Sequence, residues 1–241
     1  MIWAMVLAAG ESLRMGTQKL LLPFEDTTVV GAVVRTALAS RADHVLAVLG
    51  ADAGPVRREL EHRAAAPGTP RAVKDHAAAF KTARDGPRAI PLEACPKSVR
   101  LSFTVNEGYM AGMLSSVQTG FRALPEDAAA AVIMLGDQPF LSSRVVDAVI
   151  AALRKSGKGI VVPAFRGRRG HPVLIGMRYR DEVLGLDPAD GLRRLMRAHP
   201  GDVEEVEVDD AGILRDLDTP EDYKGVEPAD GKRILRSDPQ K

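Results

Sequence analysis

Apolar runs rich in β-branched residues alternate along this chain with stretches in which apolar residues recur at helical spacing. That alternation constrains the fold more than any other feature. Residues 2–7, 45–49, 101–105 and 130–135 read as strands. Residues 29–39, 56–65, 114–124 and 145–153 read as helices, the last with Val145, Val146, Val149, Ile150 and Leu153 on one face. Such a chain is expected to form an α/β fold, a mostly parallel doubly wound sheet flanked by helices that binds ligands at the carboxyl ends of its strands. Capping residues agree: Ser142 or Ser143 can start the helix after Pro139, and Asp190 can cap residues 191–199. In the C-terminal half, strands at 159–163, 172–175 and 203–208 around a turn at 167–171 predict antiparallel additions to the sheet.

Length and composition bound the rest. At 241 residues, 45% hydrophobic and 27% charged, the chain suffices for one large α/β domain. We expect that domain over residues 1–223, with an insertion at about 66–97, where five prolines interrupt any period. A short helix at 77–83 is expected inside the insertion, and residues 224–241 read as a polar tail. A formal charge of +1 lacks the broad field of a nucleic-acid or acidic-membrane binder, although Arg166, Arg168 and Arg169 can grip one small anion. The longest apolar stretch, residues 1–9, is too short to span a bilayer and lacks a basic leader. One cysteine, Cys95, allows neither an internal disulfide nor a multi-thiolate metal site. The expectation is a cytoplasmic protein with small-molecule partners.

Five motifs carry chemistry. Leu7-Ala-Ala-Gly-Glu-Ser-Leu-Arg-Met-Gly-Thr-Gln-Lys19 follows the first strand at once. Ala8, Ala9 and Gly10 let a ligand approach the backbone amides, while Arg14 and Lys19 supply charge suited to a triphosphate. It matches neither the dinucleotide fingerprint nor a P-loop, and a glycine-bearing turn with two surface cations explains it equally well. Leu135-Gly-Asp-Gln-Pro139 places Asp137 just past a strand, as a Mg2+ ligand or as a turn or cap residue. Between a strand and a helix lie Gly112, Ser115 and Ser116, which serve as caps or ligand contacts. Gly167-Arg-Arg-Gly-His-Pro172 is a tight hairpin or an anion-binding turn. In Asp216-Leu-Asp-Thr-Pro-Glu-Asp-Tyr223, Thr219 and Pro220 read as a helix start.

The first motif, Leu-Ala-Ala-Gly-x-Ser-x-Arg-Met-Gly-x-x-Lys, resembles the signature of the molybdopterin nucleotidyltransferases and, more closely, of the molybdenum cofactor cytidylyltransferase family. The resemblance covers roughly residues 2–63 and 101–223, and implies the nucleotide-diphospho-sugar transferase fold. It implies transfer of CMP from CTP to the phosphate of a molybdopterin-type cofactor, with release of pyrophosphate and Mg2+ as cofactor. It makes Arg14, Lys19 and Asp137 catalytic, and Leu7, Ala8, Ala9, Gly10, Gly112 and Ser116 nucleotide-binding together with Arg14 and Lys19. Arg168, Arg169 and His171 become acceptor contacts, Asp137 and Asp218 metal ligands with Asp216 nearby, and Gln138 and Pro139 shapers of the turn. Related guanylyltransferases carry glycine where this chain has Ala9, and the extra methyl suits a pyrimidine. A molybdenum hydroxylase is the implied recipient. Transfer to another phosphorylated small molecule, a cofactor carrier for molybdenum hydroxylases, and a reductase that reuses the fold are the alternatives.

Overall fold

The structure is a computed structural model that describes residues 1–10, 15–64, 100–224 and 226. The insertion with its expected helix, Cys95, most of the tail and Arg14 lie outside the described residues.

Strand β1 (Ile2–Ala8) is apolar throughout because both of its faces are covered. Ile2, Ala4, Val6 and Ala8 join one core, and Trp3, Met5 and Leu7 the other. A short hairpin, β2 (Pro23–Phe24) with β3 (Thr27–Thr28), leads into α1 (Val29–Ala39), where the Thr28 hydroxyl accepts from Gly31 N at 3.2 Å. Then come β4 (His44–Leu49), α2 (Ala53–Ala64), β5 (Leu101–Val105), α3 (Met113–Ala123), β6 (Ala130–Leu135) and α4 (Ser143–Ser156). The C-terminal half adds β7 (Ile160–Phe165), β8 (Arg168–Arg169), β9 (Val173–Gly176), α5 (Arg180–Gly185), α6 (Arg193–Ala198), β10 (Val203–Glu207) and α7 (Pro220–Lys224).

The main sheet runs β10-β7-β9-β6-β1-β4-β5, with β8 paired to β7. Its strands are parallel except β9 and β8, so this half does add antiparallel strands; of the three expected there only β9 is one, β7 and β10 run with the rest of the sheet, and β8 lies within the expected turn. Helices α1, α2 and α4 cover one face, and α3, α5 and α6 the other. The chain winds from β1 outward through β4 and β5, then returns to place β6 on the other side of β1, which opens a crevice at the carboxyl ends of β1 and β6.

Two local expectations are corrected. Ser142 precedes α4, but its side chain makes no capping bond there; its amide instead donates to Asp210 at 3.3 Å. Helix α6 starts after Leu192, and the Asp190 carboxylate is taken by Arg194 at 2.8 Å rather than by the helix amides. No helix among the described residues is long and apolar enough to cross a membrane.

Candidate active site

Glycines let three loops converge on the crevice. A Cβ on Gly50 would stand 2.4 Å from the carbonyl oxygen of Ala9, and one on Gly136 2.7 Å from that of Leu7, so the ends of β4 and β6 close on the end of β1 only without side chains. Gly136 N then donates to Leu7 O at 2.9 Å.

Lys19 opens a 3-10 turn, Lys19–Leu21, in which the Gln18 side chain accepts from Leu20 N and Leu20 is buried. Asp137 follows β6 directly. Asp218 arrives from the far end of the chain, where Leu217 N donates to Asp137 O at 3.0 Å and Gln138 Nε2 to Asp216 Oδ1 at 2.7 Å. Leu217 and Tyr223 are buried in a small core with Phe24 and Val29, and Tyr223 Oη donates to Pro23 O at 2.6 Å. Thr219 Oγ1 accepts from Asp222 N at 3.2 Å while Asp222 Oδ2 accepts from Thr219 N at 2.8 Å, so Thr219 caps α7 and Pro220 begins it, as the sequence suggests.

These loops bring three charges together. Lys19 Nζ donates to Asp137 Oδ2 at 2.6 Å and to Asp218 Oδ1 at 2.7 Å. The lysine side chain is 12% exposed, the two carboxylates 22% and 43%. Burial by itself disfavours the ammonium, but the Asp137 charge and hydrogen bonds to both carboxylates outweigh it and raise the Lys19 pKa, so the amine is a cation at neutral pH. His171 lies close enough to feel Asp216 and Asp137; burial dominates, lowers its pKa, and keeps the imidazole neutral at pH 7.

The charges line a cavity of about 460 Å³ together with Leu7, Ala9, Gly10, Leu20 and Leu135. Its uncharged wall, Tyr109, Met110, Gly112, Met113 and Ser116, comes entirely from one segment. Gly112 has φ +99°, a conformation that favours glycine. Asn106 underpins this wall: its Nδ2 donates to Ser115 Oγ and Ser116 Oγ at 2.8 and 3.0 Å.

Among the described residues no three His, Cys, Asp or Glu side chains cluster as metal ligands. Asp137 and Asp218 nevertheless embrace one cationic nitrogen. Two carboxylates with further positions left for water and phosphate oxygens are a donor set that fits Mg2+.

Of the residues singled out in the sequence, Leu7, Ala9, Gly10, Lys19, Gly112, Ser116, Asp137 and Asp218 line the cavity. Ala8 does not. Strand alternation turns it into the core under α1, opposite to Leu7. Arg168 and Arg169 are exposed on β8 and outside the cavity lining, and Arg169 pairs with Glu205 on β10. Sequence reading missed Asn106, Gly50, Leu217 and Tyr223. The Asn106-Glu-Gly sequence just after a strand was the one available signal, since a short amide there is suited to bonding back to the backbone.

The sequence profile of the MobA-like NTP transferase domain matches residues 4–203. The chain is 33% identical to the purine catabolism protein PucB of Bacillus subtilis over 225 residues, covering 92% of this chain and 94% of that one. It is 24% identical to the molybdenum cofactor cytidylyltransferase of Escherichia coli over 218 residues, covering 90% and 91%. A crystal structure of a homologue of Mycobacterium tuberculosis Rv0371c from Mycobacterium sp. strain JC1 superposes with a TM-score of 0.68 at 26% identity, covering 93% of each chain. The chain belongs to the MobA-like NTP transferase family.

Proposed function

We propose that this member of the MobA-like NTP transferase family is a magnesium-dependent cytidylyltransferase that transfers CMP from CTP to the terminal phosphate of a molybdopterin-type cofactor. The observation that carries the reading is the cavity itself, with a cation held between two carboxylates at one part and an uncharged wall, its hydroxyls those of Tyr109 and Ser116, at another. A triphosphate belongs with the first and a base with the second. The relative named as a molybdenum cofactor cytidylyltransferase supports this donor and acceptor. The relative named for purine catabolism supports, as recipient of the product, a molybdenum hydroxylase that oxidises a purine.

In this reaction an oxygen of the acceptor phosphate attacks the α-phosphorus of CTP, and the bond from that phosphorus to the β-phosphate bridging oxygen breaks, releasing pyrophosphate. The attacking phosphate is ionised at neutral pH, so no general base is needed, and positioning with charge stabilisation is sufficient. Asp137 and Asp218 would hold Mg2+, which when bound neutralises phosphate charge and orients the phosphates. Lys19, released from the carboxylates, meets the charge that develops on the leaving pyrophosphate. Arg14 is assigned the same work from the motif. Neutral His171, with a lowered pKa, suits an uncharged hydrogen-bonding wall for the acceptor.

Calorimetry with CTP, GTP, ATP and UTP in the presence of Mg2+, on the wild type and Asp137→Ala, tests the donor. The expected result is a CTP preference that disappears in the variant while its melting temperature is retained. Pyrophosphate release should then require both CTP and the pterin and fall by about 2.7–4 kcal/mol of barrier in Asp137→Ala, the scale of one positioned electrostatic contact. Equal binding of all four nucleotides, or release that ignores Asp137, would overturn the assignment.

A further inference from the structure

A nucleotide that sets its triphosphate against Lys19 must set its base against the uncharged wall, and the following rests on that nucleotide-binding reading. The wall's side-chain hydroxyl within the first turn of α3, Ser116 Oγ, is 4% exposed and lines the cavity. It accepts from Asn106 Nδ2 at 3.0 Å, and among the described residues it donates to no protein acceptor. The orientation of the Asn106 amide is set by its other end, where Oδ1 accepts from Gly108 N at 3.0 Å and therefore cannot be the nitrogen. Asn106 is buried, its own amide donates to Leu49 O at 2.8 Å, and its second N–H goes to Ser115 Oγ, whose proton is directed to Gly112 O at 2.7 Å. With both Asn106 hydrogens directed at the serines, a Ser116 lone pair is committed to Asn106 and the Ser116 proton is left to the cavity.

We propose that Asn106 is a positioning residue for base selection: it fixes Ser116 as a hydrogen-bond donor and so selects a base with an acceptor nitrogen at that edge. N3 of cytosine is such an acceptor, whereas N3 of uracil and N1 of guanine carry hydrogen. Discrimination here comes from the direction of one hydrogen bond, set by a residue outside the cavity lining.

The test is the isosteric Asn106→Asp, which preserves the bond from Gly108 N but removes both donations, to Ser115 Oγ and to Ser116 Oγ. An Asp carboxylate cannot donate, so Ser116 turns its proton to the carboxylate and presents a lone pair to the cavity. CTP and UTP affinities with Mg2+ are measured by calorimetry on the wild type, Asn106→Asp, Ser116→Ala and the double variant, with melting temperatures as the fold control. The CTP-to-UTP affinity ratio of the wild type should fall by about tenfold or more in Asn106→Asp, since a mispaired polar group discriminates on at least that scale. Ser116→Ala should lose the same discrimination, and the double variant should lose no more than either single one. A folded Asn106→Asp that keeps the wild-type ratio, or losses that add in the double variant, overturns the role of Asn106 while leaving the nucleotide reading standing. Should Asn106→Asp fail to fold, Ser116→Ala with an unchanged ratio overturns it equally. If the wild type binds no nucleoside triphosphate, the functional reading and this inference fall together.

Discussion

Lys19 keeps two carboxylates within hydrogen-bond reach of a single nitrogen, so a divalent ion entering between Asp137 and Asp218 has to displace it. The same displacement frees the ammonium for phosphate. Removing the charge should therefore separate the two roles. In Lys19→Met the two carboxylates lose the ammonium they share, and Mn2+ as a probe should bind the nucleotide-free protein more tightly than the wild type by electron paramagnetic resonance. Transfer activity should drop by about 10²–10³-fold, the scale of one lost transition-state contact. Unchanged Mn2+ affinity would remove the carboxylate pair from the metal site. Ala9 is buried beside Gly50 and lines the cavity, and Ala9→Gly is expected to admit GTP in competition with CTP; an unaltered preference would dismiss its methyl as a selector. Much at this scale was legible in sequence, because Lys19 and Asp137 lie in short motifs beside strand ends. That the Ala8 side chain turns into the core was not legible, because a motif lists neighbours without saying which face of the strand each one takes.

Elements place these residues through close approaches that side-chain patterns do not record. The carboxyl end of β4 can lie against the chain at Ala9 only because position 50 is glycine. Gly50→Ala puts a methyl against backbone, and the overpacking should cost about 1–3 kcal/mol of stability and weaken CTP binding, read by chemical denaturation and calorimetry. A variant that loses stability with full CTP affinity would show that this approach does not shape the cavity. The longer strands and the helices α1 to α4 were legible because each has an apolar face or run with a definite period, whereas the two-residue strands β2, β3 and β8 have none. Short α6 was misplaced: Asp190 looks like a cap in sequence, yet its carboxylate is satisfied by Arg194, a competition that only side-chain reach decides.

Across the whole molecule, one sheet separates two cores and β1 contributes alternate residues to both, so neither core can melt alone without exposing the central strand. Thermal unfolding should be a single transition. Saturating CTP with Mg2+ at about 100 times its dissociation constant adds about 2.7 kcal/mol. For a chain of this size that raises the melting temperature by about 5–10 °C. Two transitions, of which CTP moves one, would refute this coupling. The sequence by itself determined the alternation of strands and helices, because a strand covered on both faces must be apolar and a helix on a sheet must have one apolar side. It also determined that small residues and Lys19 follow β1 directly. Only the tertiary structure decided that Asp218, 199 residues from Lys19, would share its ammonium with Asp137, 118 residues away. Likewise, only packing decided that Asn106 would set the direction of Ser116. Residue patterns record local preferences for burial and backbone shape, whereas such meetings depend on crossovers and on the side of the sheet to which each loop returns.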